Sequence, residues 1–338
     1  MKKLKKVLLI LLVLLVLGGA AVIGLMYKYY GDILADPLAI LRQTFSDTDG
    51  DGRQDVPVIT YKGQRYAYNQ NIITLVLIGI DQSDSEERAE LRSARSDMMV
   101  VCAIDATSQT AKMIVVPRDT RAKVRSVDKN GKVTDDSYNK INASFPFGQG
   151  NVDKNKGAQN VMFNLERLLT RNGKYQAPLT KYGGINMDGI GPLTKAVGGV
   201  KVTLNQTING VGKKGETVTL NAEKAEKFCV ARHNVGDGSD LQRGQRQIQY
   251  MLGLASRIKE MNVTDIPGVY SKVSQNAFTN LKTDEMIAFA TYLKGIKMGD
   301  ITFTQLAGNA KNMDGKSYYI VDEDKMEELI VNTFYTKI

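Results

Sequence analysis

The sequence predicts an α/β fold: a domain with a central mixed sheet, preceded by a single N-terminal transmembrane helix. Three observations predict it. IITLVLIGI (72–80), DMMVVCAI (97–104) and AKMIVV (111–116) are continuous apolar runs of strand length, the pattern of strands covered on both faces. Segments with helical spacing alternate with strand-like ones through the rest of the chain. Residues 7–25 are 19 apolar residues without a charge, enough at ~1.5 Å per residue to cross a hydrocarbon core of ~30 Å.

Lys2, Lys3, Lys5 and Lys6 precede that segment and Lys28 follows it. The positive-inside rule then puts the short N-terminus in the cytoplasm. Residues 1–28 read as cytoplasmic tail and anchor of a single-pass cell-membrane protein whose C-terminal domain is extracytoplasmic. A cleaved signal peptide fits less well. The apolar region is long for one, and Gly18 to Ala21 run on into more apolar chain. The net charge of +9 is partly this signal, since the first 28 residues hold five Lys and no acid, which leaves +4 for the rest. No basic stripe with interleaved aromatics is visible, so nucleic acid is not an expected partner.

Residues 29–70 read as a stalk, with the polar, turn-rich stretches SDTDGDGRQDVP and YKGQRYAYNQN. Asp47, Asp49, Asp51, Gly52 and Asp55 give the stalk loop 47–55 a spacing that can wrap Ca²⁺. The twelfth position of an EF-hand loop would be Val58 rather than Glu, so a plain solvated turn is the competing reading. From residue 71 to 338 the chain reads as one catalytic domain with a core of about 72–260. Residues 121–136 are expected to be a variable loop containing a DKNG turn. GAQNVMFNLERLLT (157–170) has helical spacing. DGIGPLTKAVGG and GVKVTL read as helix, Gly-rich turn and strand. NAEKAEKFCVAR (221–232) opens with an Asn suited to cap a helix. The stretch from Arg243 is strongly amphipathic, with Ile248, Leu252, Ala255 and Ile258 on one face. TDEMIAFATYLKGI reads as a helix, ITFTQL as a strand, and a last helix begins at Asp322. Two Cys and one His exclude a disulfide scaffold and a multi-histidine metal site, and Cys102 and Cys229 read as small core residues.

Charged residues collect at strand ends, where ligand crevices of open α/β sheets lie. Asp81 follows the first strand, Asp97 opens the second beside Arg95, and Arg118 and Asp119 follow the third. Arg232 ends one expected helix, and Asp240, Arg243 and Arg246 surround the start of the next. Cations in a first helical turn are disfavoured unless an anion joins them, and the Arg fork suits phosphate oxygens. Asp among such Arg residues points to a divalent cation bridging a polyphosphate, Mg²⁺ (or Mn²⁺). For any one of these Arg residues, an ordinary surface ion pair is the simpler account.

LIGID (77–81), ARSDMMVV (94–101), VPRDT (116–120), YNKINASFPFG (138–148), DGIGPLTKAVGGVKV (188–202) and ARHNVGDGSDLQRGQRQIQ (231–249) together resemble the LytR-CpsA-Psr proteins of bacterial envelopes. The resemblance implies an α/β/α fold with an apolar pocket. It implies transfer of an anionic glycopolymer, of teichoic acid or capsular polysaccharide type, from a polyprenyl-pyrophosphate carrier to peptidoglycan. It assigns Asp81 and Asp97 to Mg²⁺ and Arg118, Arg232 and Arg243 to the pyrophosphate, with Asp119, Asp240 and Arg246 added by motif position. The sequence departs from the family pattern at Ser83 and Val230, usual Arg positions, and at Met98, a usual Thr. Arg88, Arg92 or Arg95 could substitute for the first. Asp119 is a candidate base, or it orients Arg118, and His233 reads as a polar neighbour of Arg232. The alternatives are a non-enzymatic envelope-binding or regulatory protein of the same fold, and a polyprenyl-pyrophosphate hydrolase.

Overall fold

The computed structural model describes residues 38–42, 55–81, 94–231 and 240–338. The elements are, in chain order, β1 (Val58–Tyr61), β2 (Gln64–Tyr68), β3 (Ile72–Ile80), β4 (Ser96–Asp105), β5 (Thr110–Val116), β6 (Arg121–Val127) and β7 (Val133–Lys140). Helices α1 (Ser144–Phe147) and α2 (Lys154–Leu169) follow, then β8 (Lys181–Asn186), α3 (Ile190–Ala196), β9 (Val200–Thr203) and β10 (Thr217–Leu220). After these come α4 (Ala222–Val230), α5 (Asp240–Glu260), α6 (Ile266–Val273), β11 (Ala277–Thr279) and α7 (Thr283–Gly295). The chain closes with β12 (Ile301–Gln305), β13 (Gly308–Met313), β14 (Lys316–Val321), α8 (Glu323–Phe334) and β15 (Tyr335–Lys337).

The central sheet has the order β11-β8-β3-β4-β5-β12. β8 and β12 run parallel to β3 and β5, whereas β4 and β11 are antiparallel to their neighbours. It is mixed, as expected. The continuous apolar run of β3 is explained by cover on both faces. Val76, Ile78 and Ile80 join a core with Phe145, Val161 and Leu165 of α1 and α2 and Ile330 of α8. Ile73 faces the other way, into a core with Tyr292 of α7 and Ile296 just after it. Caps fix the helix starts: Asn221 accepts from the Lys224 amide at 2.9 Å, as its position predicts, and Asp153 accepts from that of Asn155 at 2.9 Å.

Several expectations are corrected. Residues 58–68, within the span read as a stalk, form the β1–β2 hairpin, and β2 pairs with β15. Tyr68 is buried there against Tyr335, with ring centroids 5.9 Å apart. The polar composition misleads because the hairpin covers an end of the domain with one face only. Residues 121–140 are a β6–β7 hairpin rather than a loop. Its turn is closed by Asp128, whose Oδ1 accepts from the amides of Asn130 and Lys132, with Gly131 at φ 82°. Most of β7 is exposed, so it carries no apolar alternation to read. β12 completes the central sheet, so the domain's core continues well past residue 260. The last helix begins at Glu323 with Asp322 as its cap, as expected.

Helix α5 spans Asp240–Glu260, which puts Arg243 at the end of its first turn and Arg246 in its second. Among the described residues no helix is long and apolar enough to cross a membrane. The anchor at 7–25 and the Asp47, Asp49 and Asp51 positions of the stalk loop lie outside the described residues. Cys102 and Cys229 are free and buried, and burial pushes both thiols up to about 12.

Candidate active site

The parallel strands β3, β5, β8 and β12 all end at one edge of the sheet, and β4 begins there. A β-bulge between β3 and β4 sets the local geometry. Gly79 pairs with Met98 and Ile80 with Ser96, so Asp97 has no partner on β3. The Arg95 carbonyl accepts from the amides of both Asp81, at 2.9 Å, and Asp97, at 3.0 Å. One backbone oxygen thus ties the two predicted metal carboxylates to the same point.

Both carboxylate oxygens of Asp97 accept a hydrogen bond. Its Oδ2 accepts from Arg118 Nη1 at 2.7 Å and its Oδ1 from Asn142 Nδ2 at 3.2 Å. The Asn142 amide donates to the Arg118 carbonyl at 3.1 Å, closing the circuit. Arg118 leaves β5 through a tight turn in which the Thr120 amide donates to the Pro117 carbonyl at 3.0 Å; Pro117 fixes one torsion of that exit. Asp119 pairs with Lys140 at 2.8 Å and lies 3.7 Å from Arg118 Nε. Its carbonyl accepts from the Tyr319 amide at 2.9 Å, so β14 holds the turn from outside.

The structure therefore brings together Asp81, Asp97, Arg118, Asp119 and Arg243. Lys140 and Asn142 belong with them and were missed by sequence reasoning. They follow directly from the hairpin misread as a loop, and the quoted YNKINASFPFG segment was the available signal. Arg95 contributes its carbonyl, and its side chain is exposed and lines neither cavity. Arg246 is a correction. Only 1% of it is exposed, and its guanidinium donates to the carbonyls of Phe228, at 2.9 Å, and Ala231. Those are carbonyls at the end of α4, which a basic side chain commonly satisfies, and desolvation lowers the Arg246 pKa. Arg232, His233, Ser83 and the Asp240 side chain lie outside the described residues, and Val230 is 39% exposed.

Two cavities meet at this edge. The first, of about 340 Å³, lies over β3 and β8 beneath α5, α6 and α7, and its wall is almost wholly apolar, including Leu77, Ile185, Leu254 and Val269. Asp81, Asp97 and Arg243 stand on its rim. Gly183 forms part of its floor, and a Cβ added there would meet no atom within 4 Å. The second cavity, of about 410 Å³, lies over β4, β5 and β12 and includes Arg118, Asp119 and the β13–β14 hairpin. Asp97, Met98, Arg243 and Gln247 border both cavities and form the partition between them.

The donor set suits a hard cation only in part. Among the described residues no cluster of three His, Cys, Asp or Glu could hold a metal by itself. Two aspartates whose backbone amides share one carbonyl match an ion that takes its other ligands from phosphate and water, the usual habit of Mg²⁺. Asn142 Oδ1 is a further buried oxygen, without a hydrogen-bond partner.

The model of the LytR_cpsA_psr family matches residues 40–334. The chain belongs to the LytR_cpsA_psr family. The polyisoprenyl-teichoic acid–peptidoglycan teichoic acid transferase TagU of Enterococcus faecalis is 26% identical over 333 residues, covering 96% of this chain and 95% of that protein. The crystal structure of Bacillus subtilis TagV superposes with a TM-score of 0.59 at 23% identity, over 78% of this chain and 96% of that one. A structure described as TagT bound to LIIa-WTA gives 0.60 at 22% identity, over 86% of this chain and 99% of that one. These likenesses establish the mixed α/β fold of the LytR_cpsA_psr family for this chain.

Proposed function

We propose that this protein is a membrane-anchored phosphotransferase that moves an anionic glycopolymer, of teichoic acid or capsular polysaccharide type, from a polyprenyl-pyrophosphate carrier to peptidoglycan. One observation carries the reading: an apolar cavity opens at a rim of Asp81, Asp97 and Arg243, with Arg118 bonded to the same Asp97. Only an amphiphile with a long apolar tail and a multiply charged head uses both parts. The name of the TagU relative describes transfer from such a polyisoprenyl-linked donor.

In this reading the polyprenyl chain lies in the cavity over Gly183, with water excluded. Arg118, already oriented by Asp97 and Asn142, offers its donor fork to the pyrophosphate, where electrostatic preorganisation is most effective. Arg243 offers a second cation from the partition, and Arg232 a third by motif position. Asp81 and Asp97 would hold Mg²⁺ (or Mn²⁺), which supplies Lewis-acid neutralisation of phosphoryl charge. Asp119 is positioned by its ion pair with Lys140 and lines the second cavity. The N-terminal segment 7–25 anchors the protein in the cell membrane, with the catalytic domain outside.

The test is product identity. Full-length protein in detergent is incubated with a polyprenyl-pyrophosphate glycan, with and without Mg²⁺ and peptidoglycan. A Mg²⁺-dependent, peptidoglycan-linked glycan supports the proposal. Phosphorylated glycan released to water identifies a hydrolase, and unreacted donor identifies a binding or regulatory protein.

A further inference from the structure

We propose that the second cavity seats the acceptor: a neutral, hydroxyl-rich saccharide whose hydroxyl attacks the phosphorus. The proposal rests on the transferase reading and extends it to a residue-level acceptor site. The two cavities lie on opposite sides of one partition, the first over β3 and β8, the second over β5 and β12. Displacement at phosphorus is in line, so the entering oxygen approaches opposite the leaving one. With the lipid in the first cavity, the leaving lipid phosphate lies toward that side. The entering hydroxyl must then come from the second.

The lining fits a sugar better than the anionic polymer of the donor. Its charged residues, Asp97, Arg118, Asp119 and Arg243, all belong to the phosphate site itself. Beyond them the wall is uncharged, with the polar groups of Gln245, Gln305, Ser317 and Tyr318 set among apolar side chains such as Val115 and Ile248. Amides and hydroxyls both donate and accept, as sugar hydroxyls require, and a ring offers a face for apolar C–H groups. A polyanion would need cations there, and among the described lining residues there are none beyond the phosphate site. The β13–β14 hairpin that builds this wall is bonded to the catalytic turn through the Tyr319 amide and the Asp119 carbonyl, 2.9 Å apart. It is further held by the Tyr319 hydroxyl, which donates to the Leu306 carbonyl at 2.8 Å.

The step balances as follows. The acceptor oxygen forms a bond to the phosphorus that carries the glycan. The bond from that phosphorus to the bridging oxygen breaks, and its electron pair leaves with the lipid monophosphate. The hydroxyl proton passes to the Asp119 carboxylate and from there to water. Lys140 pairs with that carboxylate and fixes its position, and most activation comes from charge neutralisation at the phosphoryl group.

Gln305→Ala removes an amide from the wall, and Ala310→Trp fills the space from the exposed side of β13. Full-length variants are compared with the parent for melting temperature, for Kd toward the polyprenyl-pyrophosphate donor, and for KM toward a soluble peptidoglycan fragment. The expected result is an acceptor KM raised roughly tenfold, the scale of a lost hydrogen bond, with donor Kd and melting temperature unchanged. A raised donor Kd with an unchanged acceptor KM would assign the cavity to the donor glycan and overturn the proposal. So would variants that match the parent in both constants. A parent protein that binds no donor would instead overturn the transferase reading itself.

Discussion

Arg118 shows how one side chain reports on the site. It is bonded to Asp97, lies near Asp119 and sits on a rigid exit from β5. Because its surroundings pre-set the fork, Arg118→Lys should keep fold and charge but lose most transfer, while Arg118→Ala should lose about 10²–10³-fold, the range for one preorganised donor. Melting temperature should fall little, since a partly exposed pair contributes ~1 kcal/mol or less. Near-normal transfer by Arg118→Lys, measured beside the melting curve, would remove Arg118 from the phosphate site. Arg246 makes the opposite case. Its guanidinium is buried against two carbonyls, and truncation leaves both unpaired. Arg246→Ala should cost about 2–4 kcal/mol of stability and lower the melting temperature, while the folded protein keeps its donor affinity. A lost affinity at unchanged melting temperature would return Arg246 to the pyrophosphate. Sequence position alone could not separate these two residues, because both are Arg in a matching motif. What separates them is burial, which depends on where α4 ends against α5.

At the scale of elements, β3, β4 and β5 were legible to within a residue or so because strands buried on both faces must be apolar throughout. The cap at Asn221 was legible for a local reason, the need of terminal amides for an acceptor. The β6–β7 and β1–β2 hairpins were not, because strands with an exposed or thinly covered face lack the apolar pattern that marks burial. That failure hid Lys140 and Asn142, which the β6–β7 hairpin delivers to the site. The apolar cavity was expected only from the family resemblance, since residues such as Leu77 and Ile185 read the same in a filled core. Gly183 lines the cavity and puts no side chain into it. A side chain there would point into the void, so Gly183→Leu should fold normally and block the cavity. The displaced methylenes of the lipid are each worth ~0.8 kcal/mol, so donor affinity should fall roughly tenfold or more. Titration of the variant with the polyprenyl-pyrophosphate donor checks this. Unchanged affinity would place the lipid elsewhere.

For the whole molecule, the account requires the catalytic domain to face a compartment where peptidoglycan is found. In the proposed topology, Lys2, Lys3, Lys5 and Lys6 ahead of residues 7–25 set that orientation. A reporter that works only outside the cytoplasm, fused after Ile338, should be active, and its cytoplasmic counterpart silent; the reverse pattern would refute the anchor. The central claim is that chemistry occurs at phosphorus, between a lipid-filled cavity and an acceptor-filled one. It is tested most directly by following both phosphorus atoms of a labelled donor into products by mass spectrometry. The account predicts one phosphorus in the new link between glycan and peptidoglycan and one on the released lipid, as its monophosphate. A link without phosphorus, with the lipid leaving as its pyrophosphate, would mean attack at carbon and would contradict it.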